Sequence, residues 1–318
     1  MKRIVVIGEI VAEIMADSDG DGFREPIALT GPFPSGAPAI FVAQAARLGQ
    51  PAAIVSAVGE DDFGRVNLDR LAREGVDVSA VRIDPDRPTG TAFVRYRPDG
   101  ARDFIFNIRY SACGVPVLAE GAREVIALAD HFHVMGSSLA SPDFVRLTLE
   151  TVGAVRGRGG TVSFDPNLRK EMLAAPGLRD AMRQVLGLAD LFLPSGEELT
   201  LLTRAQGEDE AMTELLGSGP SAIVHKKGSN GALYRDAART LATPALPVAE
   251  VDPTGAGDCF GATFVSLWLR GVDPQEALVL AAAAGALAVT RRGPMEGVSG
   301  LETLRRLVGG LAAAADEP

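Results

Sequence analysis

Short, mostly apolar runs recur along the chain: Ile4–Ile7, Ala53–Val58, His131–Met135, Thr161–Phe164, Leu191–Leu193 and Ala222–His225. A half-exposed strand alternates apolar with polar residues. A run such as Ile4-Val5-Val6-Ile7, closed by Gly8, reads instead as a strand buried on both faces. Between the runs lie stretches of helical character, Ile40–Leu48, Phe63–Arg73, Pro142–Val155 and Leu178–Leu188. Strands alternating with helices predict the doubly wound α/β class, a mostly parallel sheet covered by helices on both faces. The 47% hydrophobic content of these 318 residues is enough to fill a large core.

One stretch breaks the rhythm. Thr89 to Tyr96, a Pro98-Asp99-Gly100 turn and Arg102 to Ile108 read as a β-hairpin with period-two alternation. Phe93 and Arg95 fall on one face of it, Val94 and Tyr96 on the other. Such a hairpin either lies on the surface or joins residues around 10–34 in a small sheet over the edge of a site.

The chemistry is clearest near the C-terminal end, in Asp252-Pro253-Thr254-Gly255-Ala256-Gly257-Asp258. Pro253, Gly255 and Gly257 are poor helix material, while Ala262 to Leu269 is a good helix former, so the string reads as a glycine turn opening into a buried helix. The first amides of a helix have no intrahelical partner and carry the positive end of its dipole. With small side chains around them they form an anion cradle, and Asp258 sets a carboxylate at its mouth. A cradle for phosphate beside a carboxylate base suggests phosphoryl transfer to a hydroxyl.

The same string resembles the C-terminal signature of the ribokinase-like carbohydrate kinases, and stretches from residue 4 to about 299 fit that family. The resemblance implies a single ribokinase-like domain over 1–318, with a β lid formed by about 10–34 and 88–110 that often serves as a homodimer surface. It also implies ATP, Mg2+ and a small-molecule sugar as ligands, in a step of carbohydrate catabolism. Asp258 would be the base, and Gly255, Ala256 and Gly257 would line the anion hole. Thr254 with Gly255 and Gly257 would meet ATP, and Asp252 would stand beside a monovalent cation, K+ in some members.

Further strings extend the resemblance. Ser35-Gly36-Ala37-Pro38-Ala39-Ile40 is an ordinary helix start, but is also similar to the family's Gly-Gly-x-x-x-Asn sugar signature. Gly36 fits it, Ser35 and Ile40 depart from it, and Glu13 stands where Asp is common. Phe164-Asp165-Pro166-Asn167-Leu168-Arg169 is a turn former that resembles a segment of fructokinase-like and 2-keto-3-deoxygluconate kinase members. There Arg169 would reach the substrate, as would Asn107 and Arg109 on the returning lid strand. In Leu193-Pro194-Ser195-Gly196-Glu197-Glu198, Ser195 replaces the family's Asn near ATP, and Glu198 keeps the acid that holds Mg2+ through water. Lys227, Gly228 and Gly231, in a lysine-rich turn, fall where the family places nucleotide phosphates. Gly31 to Phe41, with Asn67-Leu68-Asp69-Arg70-Leu71, looks like bacterial tagatose kinases. The expected acceptor is therefore the terminal hydroxyl of a ketohexose, tagatose or fructose. A 2-keto-3-deoxygluconate kinase and a catalytically silent sugar-binding regulator are the alternatives.

Other classes are disfavoured. Gly59-Glu60-Asp61-Asp62-Phe63-Gly64-Arg65 has P-loop glycine spacing, but lacks Lys-Ser/Thr, and its three acids would repel a triphosphate. It reads as a strand-to-helix turn. The net charge of −10 argues against nucleic acid. Cys113 and Cys259 are far apart and form neither a disulfide nor a zinc pattern. The apolar run Ala277–Val289 is too short to span a bilayer, and the N-terminus lacks a signal sequence. A cytoplasmic enzyme without a membrane partner is expected.

Overall fold

The computed structural model describes residues 1–139, 141–168 and 177–315. The chain opens with β1 (Ile4–Ile7), β2 (Val11–Ala16), β3 (Leu29–Ser35), α1 (Ala37–Arg47), β4 (Ala52–Gly59) and α2 (Asp62–Glu74). It continues through β5 (Val81–Asp84), β6 (Gly90–Tyr96), β7 (Arg102–Asn107), α3 (Ala122–Ala127), β8 (His131–Met135) and α4 (Pro142–Gly157). Next come β9 (Thr161–Asp165), α5 (Leu178–Leu186), β10 (Leu191–Phe192), α6 (Glu198–Leu201), α7 (Glu208–Leu216) and β11 (Ala222–Lys226). The last elements are β12 (Ala232–Asp236), β13 (Thr240–Thr243), α8 (Ala256–Leu269), α9 (Pro274–Val289) and α10 (Leu301–Ala315).

The main sheet has nine strands in the order β13-β12-β11-β10-β9-β8-β1-β4-β5. The six runs read from sequence are parallel strands of it, β5 adds a seventh beside β4, and β12 and β13 extend it as antiparallel strands. The four residues of β1 show why both faces are apolar. Ile4 and Val6 point into a layer with α1, α8 and α9, represented by Phe41, Phe264 and Ala281. Val5 and Ile7 point into the opposite layer with α4, α5 and α7, represented by Val152, Val185 and Met212. Each fully buried Val, Ile or Phe contributes about 1.5–3 kcal/mol through burial.

The hairpin is not alone on the surface. A second sheet has the order β3-β2-β6-β7, so residues of the expected 10–34 and 88–110 segments do pair. The P-loop-like string is the turn between β4 and α2: Asp61 caps that helix by accepting the Gly64 amide, and its carboxylate also takes the Thr89 amide and hydroxyl.

Connections leave β1 toward β4 on one side, while β8 flanks it on the other. In open α/β sheets, ligands bind beyond the carboxyl ends of strands near such a reversal. Asp165 ends β9 and Lys226 ends β11, so both fall on that edge.

Candidate active site

A cleft of about 580 Å³ lies between the carboxyl edge of the main sheet and the small sheet. Its polar lining includes Glu13, Ser35, Asp165, Asn167, Glu198, Lys226 and Asp258.

The anion turn forms as the sequence implies. Gly255 is the N-cap of α8 at φ 82°, a left-handed conformation costly for any other residue, and a Cβ there would lie 2.4 Å from the Pro294 carbonyl oxygen. No side chain caps α8; the Ala256 amide reaches back to the Pro253 carbonyl at 3.4 Å, and Gly257 lines the cleft, where its amide can meet a ligand. Asp258, in that first turn, is buried, and its Oδ1 accepts the Asn167 side-chain amide at 3.0 Å. Asn167 reaches it because Asp165 Oδ1 holds the Asn167 backbone N–H at 3.1 Å in a tight turn, with Asn167 itself at φ 39°.

Asn167 and Lys226 are cleft residues that sequence reasoning did not select. Lys226 is buried, and its Nζ pairs with Asp165 Oδ2 and lies 3.7 Å from where a Cβ on Gly257 would stand. Burial would pull this ammonium down, but the charges of Asp165, Glu198 and Asp258 hold it above the ordinary lysine range. Glu198 is pushed up to about 7 by burial and then by Asp165, against the pull of Lys226 and two amides. Those amides are Leu168 N–H, 2.6 Å from one oxygen, and Ser195 N–H, 2.7 Å from the other. With its oxygens fixed in this way, the carboxylate is suited to hold a hydrated divalent ion through water rather than to wrap it.

On the opposite wall, Glu13 is buried and accepts the Ser35 hydroxyl at 2.8 Å. The Ser35 amide donates to Asn67 Oδ1 at 3.2 Å, so Asn67 braces the loop. Gly36 caps α1 at φ 109°, and a Cβ there would meet the Glu9 carbonyl oxygen at 2.4 Å. Ile40, buried in α1, presents an apolar patch to the cleft, and its Cγ2 lies 3.3 Å from where a Cβ on Gly255 would stand.

Several expected residues are elsewhere. Asn107 and Arg109 line a different cavity, of about 740 Å³, with Asp62, Phe63 and Thr91. The reason is strand direction: β7 enters the cleft at Arg102 and Phe104, and Asn107 lies three residues beyond Phe104 along an extended strand, about 10 Å on. Lys227 does not join the cleft lining, because its Nζ meets Glu208 Oε2 at 2.8 Å. Adjacent residues at a strand end point opposite ways, so Lys226 is the cation brought inside. Gly228 and Gly231 form the turn between β11 and β12, where the Lys227 amide donates to the Gly231 carbonyl at 2.8 Å. Asp252 is buried and accepts the Tyr96 hydroxyl, the Thr254 amide at 2.9 Å and the Gly293 amide at 2.9 Å. Arg169 lies outside the described residues.

Residues 1–299 match the description pfkB family carbohydrate kinase. The chain belongs to this family. It is therefore a carbohydrate kinase, a phosphotransferase with an alcohol as acceptor, and its fold is ribokinase-like. It is 32% identical over 315 residues to a fructokinase of Klebsiella pneumoniae, covering 96% of this chain and 98% of that one. It is 33% identical over 303 residues to a 2-dehydro-3-deoxygluconokinase of Thermoproteus tenax, covering 93% and 91%. Among solved structures, an E. coli protein designated a candidate Ribokinase II, in complex with ATP and Mg2+, aligns at TM-score 0.91 and 44% identity over 98% of this chain and 100% of that one.

Proposed function

We propose that this kinase transfers the γ-phosphate of ATP to the terminal primary hydroxyl of a ketohexose, tagatose or fructose. The observation that carries the reading is the meeting of the Asp258 carboxylate, the Gly255–Gly257 amides and Lys226 Nζ in one cleft.

In this reading Asp258 accepts the proton of the attacking hydroxyl, and Asn167 fixes the direction in which its carboxylate points. The α8 amides and Lys226 stabilise negative charge on the transferring group. Glu198 would hold Mg2+ through water, with Ser195 beside the ATP, and the ion would neutralise phosphate charge when bound.

The acceptor wall supports a neutral polyol. Glu13 sets a buried carboxylate there, which repels a second carboxylate but accepts sugar hydroxyls. The guanidinium that lines the cleft among the described residues, Arg102, stands beside the Thr254 hydroxyl at 3.5 Å, on the donor side. Of the two arginines that could hold a keto-acid's carboxylate, Arg109 lies in the other cavity, and Arg169 lies outside the described residues. Purified protein given equal tagatose, fructose and 2-keto-3-deoxygluconate should show the higher kcat/KM on a ketohexose. A tenfold preference for the acid would overturn the substrate assignment while leaving phosphoryl transfer intact.

A further inference from the structure

Tyr96 sits at the end of β6 in the small sheet, yet its hydroxyl reaches residues at the base of the anion turn. It donates to Asp252 Oδ1, and the same oxygen accepts the Thr254 amide at 2.9 Å. The Tyr96 hydroxyl also lies 3.2 Å from Thr254 Oγ1. Asp252 Oδ2 holds the Gly293 amide at 2.9 Å, and the next residue, Pro294, presses its carbonyl oxygen against Gly255. One carboxylate thus fixes both sides of the turn that forms the anion cradle, and one phenol ties that carboxylate to the small sheet. The same sheet carries Glu13 and Phe104 into the cleft, and a bound acceptor would press on these residues.

We propose that Tyr96 is a positioning residue for phosphoryl transfer, its hydroxyl coupling the small sheet to the anion turn through Asp252. This rests on the kinase reading. The phenol touches neither phosphate nor acceptor. It acts by holding the Thr254–Gly255 turn where the amides must meet the transferring group, and small misplacements of such groups are costly in rate.

The test is Tyr96→Phe, which keeps the ring and removes the O–H. The expected result is a fall in kcat of about tenfold, as for a lost hydrogen bond to a charged group, with KM for ATP and for sugar within about threefold. Amide exchange at Thr254 and Gly293 should quicken, while exchange in β1 stays unchanged. A kcat within twofold of the parent, a loss confined to the sugar KM, or unchanged exchange at both amides would each overturn the proposal. If the parent protein transfers phosphate to no sugar, the kinase reading fails instead. The coupling is then judged on the exchange data alone.

Discussion

At the scale of the residue, Lys226 bears the heaviest electrostatic duty. A buried ammonium beside Asp165, with Glu198 and Asp258 nearby, offsets charges that would otherwise be stranded in the cleft floor. Breaking a buried pair by removing one partner costs about 3–5 kcal/mol, because the remaining charge is uncompensated. Lys226→Met should lower stability by that order, read from the urea midpoint at pH 7. A loss below about 1 kcal/mol would mean that the carboxylates simply take up protons. The sequence pointed to Lys227, and the register of β11 puts its neighbour Lys226 in the cleft instead. Asp258 and its glycine turn were legible because their geometry is local. The Asn167–Asp258 bond spans 91 residues and was not.

At the scale of the element, β8 and β9 share a buried polar seam. His131 bonds Thr161 Oγ1 at 2.8 Å and Ser163 Oγ at 2.7 Å, and His133 bonds the same Ser163 oxygen at 2.6 Å. Burial, with a smaller push from Lys2, lowers His131 to about 3, and burial with His131 and Lys226 pulls His133 well below the usual range. Unfolded histidines titrate near 6.5, so between that value and about 3 the unfolded chain binds the extra protons. Stability therefore rises with pH through this window and is lost as pH falls below about 6.5. Replacing His131 by Asn should flatten the fall in urea midpoint between pH 7 and pH 4. An unchanged slope would contradict the linkage. The strands themselves were legible because parallel strands buried on both faces cannot hide their apolar runs. The antiparallel extension, β12 and β13, was not, since exposed and half-buried residues such as Thr240 and Leu241 give no continuous apolar run.

At the scale of the whole molecule, the cleft exists because two sheets meet. The sequence predicted both, but not which end of the hairpin faces inward. Placing Arg102 and Phe104 in the cleft, and Asn107 and Arg109 in another cavity, depends on long-range pairing of β6 with β2. The links that tie the small sheet to the C-terminal segments, Tyr96 to Asp252 and Arg292 to Ala16 and Asp17, join residues more than a hundred positions apart, beyond the reach of local spacing. The central claim is that this assembly uses the Asp258 carboxylate to deprotonate a sugar hydroxyl. Its most direct test compares Asp258→Asn with the parent protein for ketohexose phosphorylation and for Mg·ATP binding by calorimetry. Turnover should fall by about 10² to 10⁴, with the ATP dissociation constant changed by no more than a few fold. A variant that retains more than a tenth of the parent turnover would contradict the claim.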